Sequence, residues 1–116
     1  MGRVIAYMDD LFFQMKLAET AKHVGVEVKV ATNAEALRTL LEPAPKLVVV
    51  DLNARGNPLE AIRELRQGHP ELRIVAFLSH VQRDLAAQAH AAGCQEVMPR
   101  SALTQNLAAI LGDAKD

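Results

Sequence analysis

Two short apolar runs in this chain stop abruptly on acids: Arg3-Val4-Ile5-Ala6-Tyr7-Met8 meets Asp9-Asp10, and Leu47-Val48-Val49-Val50 meets Asp51. Consecutive aliphatic residues in a run too short for a helix suit a strand buried on both faces, which requires helices on both sides of a parallel sheet. The segments between and after these runs fit that demand. From Leu11 to Val24 the apolar positions Phe13, Leu17, Ala21 and Val24 recur at helical spacing, and Gly25 follows as a C-terminal stop. Val26-Glu27-Val28-Lys29-Val30 alternates with period two, as a strand near a sheet edge does. Thr32 or Asn33 can cap a helix through Leu41, which Pro43 and Pro45 end.

The alternation continues beyond Asp51. Asn53-Ala54-Arg55-Gly56-Asn57-Pro58 is rich in turn residues and leads into a helix carrying Leu59, Ile62 and Leu65, ended by Gly68, His69 and Pro70. Leu72 to Leu78 predicts a fourth strand and Val81 to Ala92 an alanine-rich helix stopped by Gly93. Glu96 to Met98 predicts a short fifth strand, and Ala102 to Leu111 a last helix with Ser101 as N-cap. Strands alternating with helices, with no repeat or low-complexity segment, predict an α/β fold: one doubly wound five-stranded parallel sheet with helices on both faces. At 116 residues the expectation is one stand-alone domain over residues 1–116.

Composition narrows the function classes. A formal charge of -1 gives no electrostatic reason to bind nucleic acid or an anionic membrane. The apolar runs are far too short to span a bilayer and the N-terminus lacks a signal peptide's apolar stretch, so a cytoplasmic location is expected. The single cysteine, Cys94, can form neither an internal disulfide nor a metal-binding pair, and reads as a small buried side chain.

In open α/β sheets, ligands sit outside the carboxyl ends of the strands where strand order reverses. Those ends carry Asp9 and Asp10, Asp51, Ser79 with His80, and Arg100. Gathered carboxylates repel one another unless a cation intervenes; magnesium favours carboxylate oxygens, and Arg100 would add a fixed positive charge for a phosphoryl group. Ser79 would complete the oxygen contacts. Blander roles compete: Asp10 as a helix N-cap, Asp51 as a strand end in a solvated loop, Ser79 as a cap and His80 as a solvent-facing residue at a helix entry. His23, His69 and His90 show no metal-ligand spacing and read as surface residues. Phe12 and Phe13 cannot share one helix face; Phe13 fits the core stripe. Phe12 is then either an exposed anchor for a partner or, the favoured reading, partly buried against a neighbouring loop.

This order of residues resembles the response-regulator receivers of two-component signalling over nearly the whole chain. An acidic pair after strand one, a phospho-accepting aspartate ending strand three, a Ser or Thr ending strand four and a basic residue ending strand five look like Asp9 with Asp10, Asp51, Ser79 and Arg100. Asn53 matches the position whose backbone carbonyl helps hold magnesium, and Ala91-Ala92-Gly93 resembles the family's approach to its last strand. The resemblance implies strand order 2-1-3-4-5 and a signalling domain that is not an enzyme. It implies Mg2+ held by Asp9, Asp10, Asp51 and Asn53, and a phospho-acceptor at Asp51 assisted by Ser79 and Arg100. The implied partners are a sensor histidine kinase or phosphotransfer protein and a downstream protein target, with a homodimer left open. An output through another protein is expected, since too few residues follow Leu111 for a further domain.

Three departures bear on function. Arg100-Ser101 stands where the family has Lys-Pro, and Ala54-Arg55 where it has Met-Pro. Counting back from Gly25 also puts Met8 and Asp9, rather than Asp9 and Asp10, on the paired positions, with Asp10 as an N-cap. Two readings follow: a phosphate-accepting switch, or a pseudo-receiver serving as a phosphorylation-independent interaction module. A flavin site is disfavoured because Asp9-Asp10-Leu11-Phe12 offers acids and bulk where phosphate would need hydroxyls and glycines, and a cobalamin motif is absent.

Overall fold

The computed structural model describes residues 2–79 and 82–115. Strands β1 (Gly2–Tyr7), β2 (Val26–Ala31), β3 (Leu47–Asp51), β4 (Arg73–Leu78) and β5 (Glu96–Pro99) alternate with helices α1 (Leu11–Val24), α2 (Ala34–Leu40), α3 (Pro58–Gly68), α4 (Arg83–Ala92) and α5 (Arg100–Gly112). All strand pairs are parallel, in the order β2-β1-β3-β4-β5 that the resemblance implied. Crossing from β1 to β3 reverses the winding, so α1 and α5 cover one face and α2, α3 and α4 the other.

Alternation along the central strands feeds both cores. Val4, Ala6, Leu47, Val49, Val75 and Phe77 pack under Phe13, Leu17 and Ala21 of α1 and Leu103, Leu107 and Leu111 of α5. Ile5, Tyr7, Val48, Val50, Ile74 and Ala76 pack under Leu37, Ile62, Leu65 and Ala89. This is why β1 and β3 read as continuous apolar runs: neither face of the central sheet meets water. Cys94 is buried as expected, its thiol donating toward the Ile74 and Glu96 carbonyls.

Helix starts follow local chemistry, with one correction. Asp10, Asn33 and Asn57 each accept a backbone N–H of the first turn of α1, α2 and α3. Ser101, expected as the last N-cap, instead lies inside α5, which starts at Arg100 after Pro99. The ring of Pro99 holds an extended backbone (φ -67, ψ 155) that can end β5 and enter the helix without a side-chain cap. Met8, expected in the first strand, lies just past it, buried, with its N–H donated to the Ala31 carbonyl. His69 is half-buried rather than a surface residue, while His23 and His90 are exposed. The helix start expected at Val81 and the role weighed for His80 lie outside the described residues.

Gly93 ends α4 at φ 119, and a methyl group there would also approach the Arg66 Cγ to 2.7 Å. Arg66 is not free to retreat, since its guanidinium binds the Gly93, His69 and Pro70 carbonyls. Gly93→Ala is expected to lower stability by about 1–2 kcal/mol in urea melts, with the fold retained.

Candidate functional site

The carboxyl ends of β1, β3 and β4 bring together Asp9, Asp10, Asp51, Asn53, Ser79 and, from the first turn of α5, Arg100. Asp51 is the last residue of β3 and the one buried charged residue among those described, 3 % exposed. Its Oδ1 accepts the Asn53 N–H at 2.8 Å, and its Oδ2 faces the Arg100 guanidinium at 4.0 Å. Burial pushes the Asp51 carboxyl above the usual carboxylate range, and the negative charges of Asp9 and Asp10 push the same way; the Asn53 N–H and Arg100 offset part of this.

Asp10 performs two tasks at once. One oxygen caps α1 by accepting the Phe13 N–H at 3.1 Å, and the other pairs with Arg100 at 2.8 Å. The Phe13 N–H, then Arg100, hold its carboxyl below the ordinary value. The N-cap role read from the sequence is thus present, yet it does not remove Asp10 from the site. Asp9 turns toward the β3–α3 loop, where it accepts the Arg55 N–H at 3.1 Å and lies 3.5 Å from the Arg55 guanidinium.

Arg100 rests on an aromatic pair. Its guanidinium carbon is 5.2 Å from the Phe13 ring centre and 5.6 Å from that of Phe77, and the two rings are themselves 5.1 Å apart. The Arg100 Nε is buried there without a hydrogen-bond partner, so the ring faces stand in for water around that part of the cation. The arginine is therefore fixed from below by α1 and β4 and from above by Asp10.

Asn53 links the site to the next loop. Its side-chain oxygen accepts the Ser79 N–H at 2.7 Å, and its amide nitrogen donates to Gln82 at 2.9 Å. Ser79 itself is exposed and joins this arrangement through its backbone. Nothing in the sequence singles out Gln82 or Phe77 for the site, and Arg55 stands out there only as a departure from the family's Met-Pro. Phe77 looks like any core aromatic, and Gln82 and Arg55 are surface polar residues whose contacts come only from folding three loops together.

The four expected magnesium ligands are close in the fold, and part of their oxygen set is already engaged. Asp10 holds Arg100 and a backbone N–H, Asp9 holds Arg55, and Asp51 holds the Asn53 N–H on one side. Among the described residues, no group of three or more His, Cys, Asp or Glu side chains is arranged to hold a metal ion. In this arrangement the cation facing Asp10 and Asp51 is Arg100, and the one facing Asp9 is Arg55.

No family model matches the chain. It is 36% identical over 80 residues to the transcriptional activator protein ExaE of Pseudomonas putida, covering 67% of this chain and 37% of that protein. It is 32% identical over 74 residues to the photosynthetic apparatus regulatory protein RegA of Rhodobacter capsulatus, covering 62% of this chain and 40% of that one. The matched region is thus well under half the length of either relative. Among solved structures, a response regulator from Thermotoga maritima superposes with a TM-score of 0.82 at 19% identity, over 98% of this chain and 97% of the other. A Burkholderia pseudomallei response regulator, solved with a phosphorylated aspartic acid, a calcium ion and citrate, gives 0.83 at 22% identity over 96% of this chain and 66% of the other. The chain has the fold of response-regulator receiver domains, and in sequence it is similar to regulators that exceed it in length.

Proposed function

We propose that this domain is a cytoplasmic two-component receiver in which Asp51 accepts a phosphoryl group and thereby alters a protein interaction. The observation that carries this reading is the asymmetry of the Asp51 carboxylate: Asn53 pins one oxygen, while the other points toward Arg100. An in-line attack by that second oxygen forms the O–P bond as the donor's bond to phosphorus breaks, and the proton balance is unchanged if Asp51 enters ionised. Arg100 can then pair two donors with the phosphoryl oxygens, leaving Asp10. No step is routed through magnesium, although the resemblance implies that ion.

A route outward is present. Asn53 touches both Asp51 and the β4–α4 loop, so charge added at Asp51 pulls on the Ser79 and Gln82 contacts. The partner surface we assign is the start of α1, beside the site. Leu11, Phe12 and Met15 are 71%, 86% and 70% exposed, so Phe12 is not buried against a loop as favoured from sequence. A kinase or phosphotransfer protein that approaches Asp51 would cover this apolar patch.

The second reading, a phosphorylation-independent interaction module, draws support from the Arg100–Asp10 pair, in which a protein cation already answers one carboxylate of the site. Beryllium fluoride, a phosphoryl mimic, separates the two. With magnesium present, the switch requires saturable amide shifts at Asn53, Ser79 and Gln82 that vanish in Asp51→Asn. A natural chain whose spectrum does not respond would contradict the phosphate-accepting reading.

A further inference from the structure

β2 is an edge of the sheet, and among the described residues its ladder is with β1 alone. The Ala31 carbonyl accepts the Met8 N–H at 3.1 Å, which turns the peptide groups of Ala31 toward β1. A strand residue's N–H and C=O share one side, and the side alternates along the strand. Glu27 and Lys29 therefore also bond inward, whereas Val26, Val28 and Val30 direct their N–H and C=O groups out of the sheet. Side chains alternate too. The three valines lean toward the α1 face, and Glu27 and Lys29 are exposed on the other.

We infer that this edge pairs antiparallel with β2 of a second copy of the chain, about a two-fold axis through Val28, to give one sheet continuous across both copies. In this register Val28 faces the second copy's Val28, and Val26 faces its Val30. Every outward peptide group is then used, in about six hydrogen bonds. Glu27 falls opposite the second copy's Lys29, and the symmetry makes that pair twice, at the close, non-hydrogen-bonded positions where cross-strand charges interact best.

The charges select both the occupant and the register. Sliding by one pairing step toward the N-terminus places Glu27 opposite Glu27, and sliding the other way places Lys29 opposite Lys29. Only the register centred on Val28 makes both contacts attractive. Edge strands are usually blunted by charge, a bulge or proline; β2 has no proline, pairs with β1 in unbroken register, and carries charges whose order is self-complementary. Beside it, Ala18, Ala21 and Lys22 of α1 join Gly25, Val26 and Val28 in lining a mostly apolar groove along the edge on that face.

Sedimentation equilibrium across a concentration series tests the pairing on the full chain. The natural protein is expected to dimerise reversibly. Lys29→Glu sets Glu against Glu twice and should weaken the dimer at least tenfold while leaving the Arg3–Glu27 ion pair in place. Glu27→Lys should weaken it comparably, and the double variant Glu27→Lys/Lys29→Glu should restore it, with circular dichroism showing each variant folded. A natural chain that stays monomeric up to millimolar concentration would overturn the inference. So would a dimer indifferent to the single reversals, or one that the double variant fails to rescue.

Discussion

Arg100→Ala is expected to cost about 2 kcal/mol at neutral pH, the sum of a charge-assisted hydrogen bond to Asp10 and stacking on two rings. The loss should carry a pH signature. Asp10 has a depressed carboxyl in the folded state, so its contribution is fully present above the ordinary carboxylate range and disappears as pH falls through the lowered value. Arg100 supports part of that depression, and it also restrains the upward displacement of Asp51. The gap between natural and variant proteins should therefore narrow as pH drops below about 4, where protonated acids no longer need a cation. Arg100→Lys should fall between the two, keeping a charge but losing the planar fork and the stack. Urea melts at several pH values measure this. A cost independent of pH would assign Arg100 to packing alone.

Asp51→Asn should act in the opposite direction on stability. The ionised Asp51 is nearly inaccessible to water, shares its surroundings with Asp9 and Asp10, and has Arg100 no closer than 4.0 Å. Its raised folded-state value means that its contribution is present at low pH and lost as pH rises through that value. Asparagine preserves the acceptor for the Asn53 N–H and removes the charge. A gain of about 1 kcal/mol, or about 4 °C in Tm, is expected at neutral pH and should vanish in acid, where the natural side chain is itself neutral. A variant less stable at neutral pH would mean that Arg100 compensates Asp51 more fully than the 4.0 Å separation indicates.

The fold was largely legible because each level of the sequence agreed. Val48, Val49 and Val50 are buried together since both sheet faces are covered, and Gly25 and Gly93 stop helices with positive φ. The misses were local. Ser101 looked like a cap because its side chain suits one, but the backbone of Pro99 determined the helix start. Asp10 was weighed as a cap or a site residue, yet a carboxylate has two oxygens and here does both. Arg100 could be read as a phosphoryl partner; its bed of Phe13 and Phe77 could not, because that contact joins α1, β4 and α5 across the fold. The engagement of every acid by a protein group was equally hidden, since Arg55 and the Asn53 N–H reach their partners only through loop geometry.

Intact mass after incubation with acetyl phosphate, with and without magnesium, tests the phospho-acceptor assignment most directly when the natural chain is compared with Asp51→Asn. A single phosphoryl adduct is expected on the natural chain and none on the variant. An adduct that persists in Asp51→Asn, or no adduct on the natural chain in either condition, would contradict it.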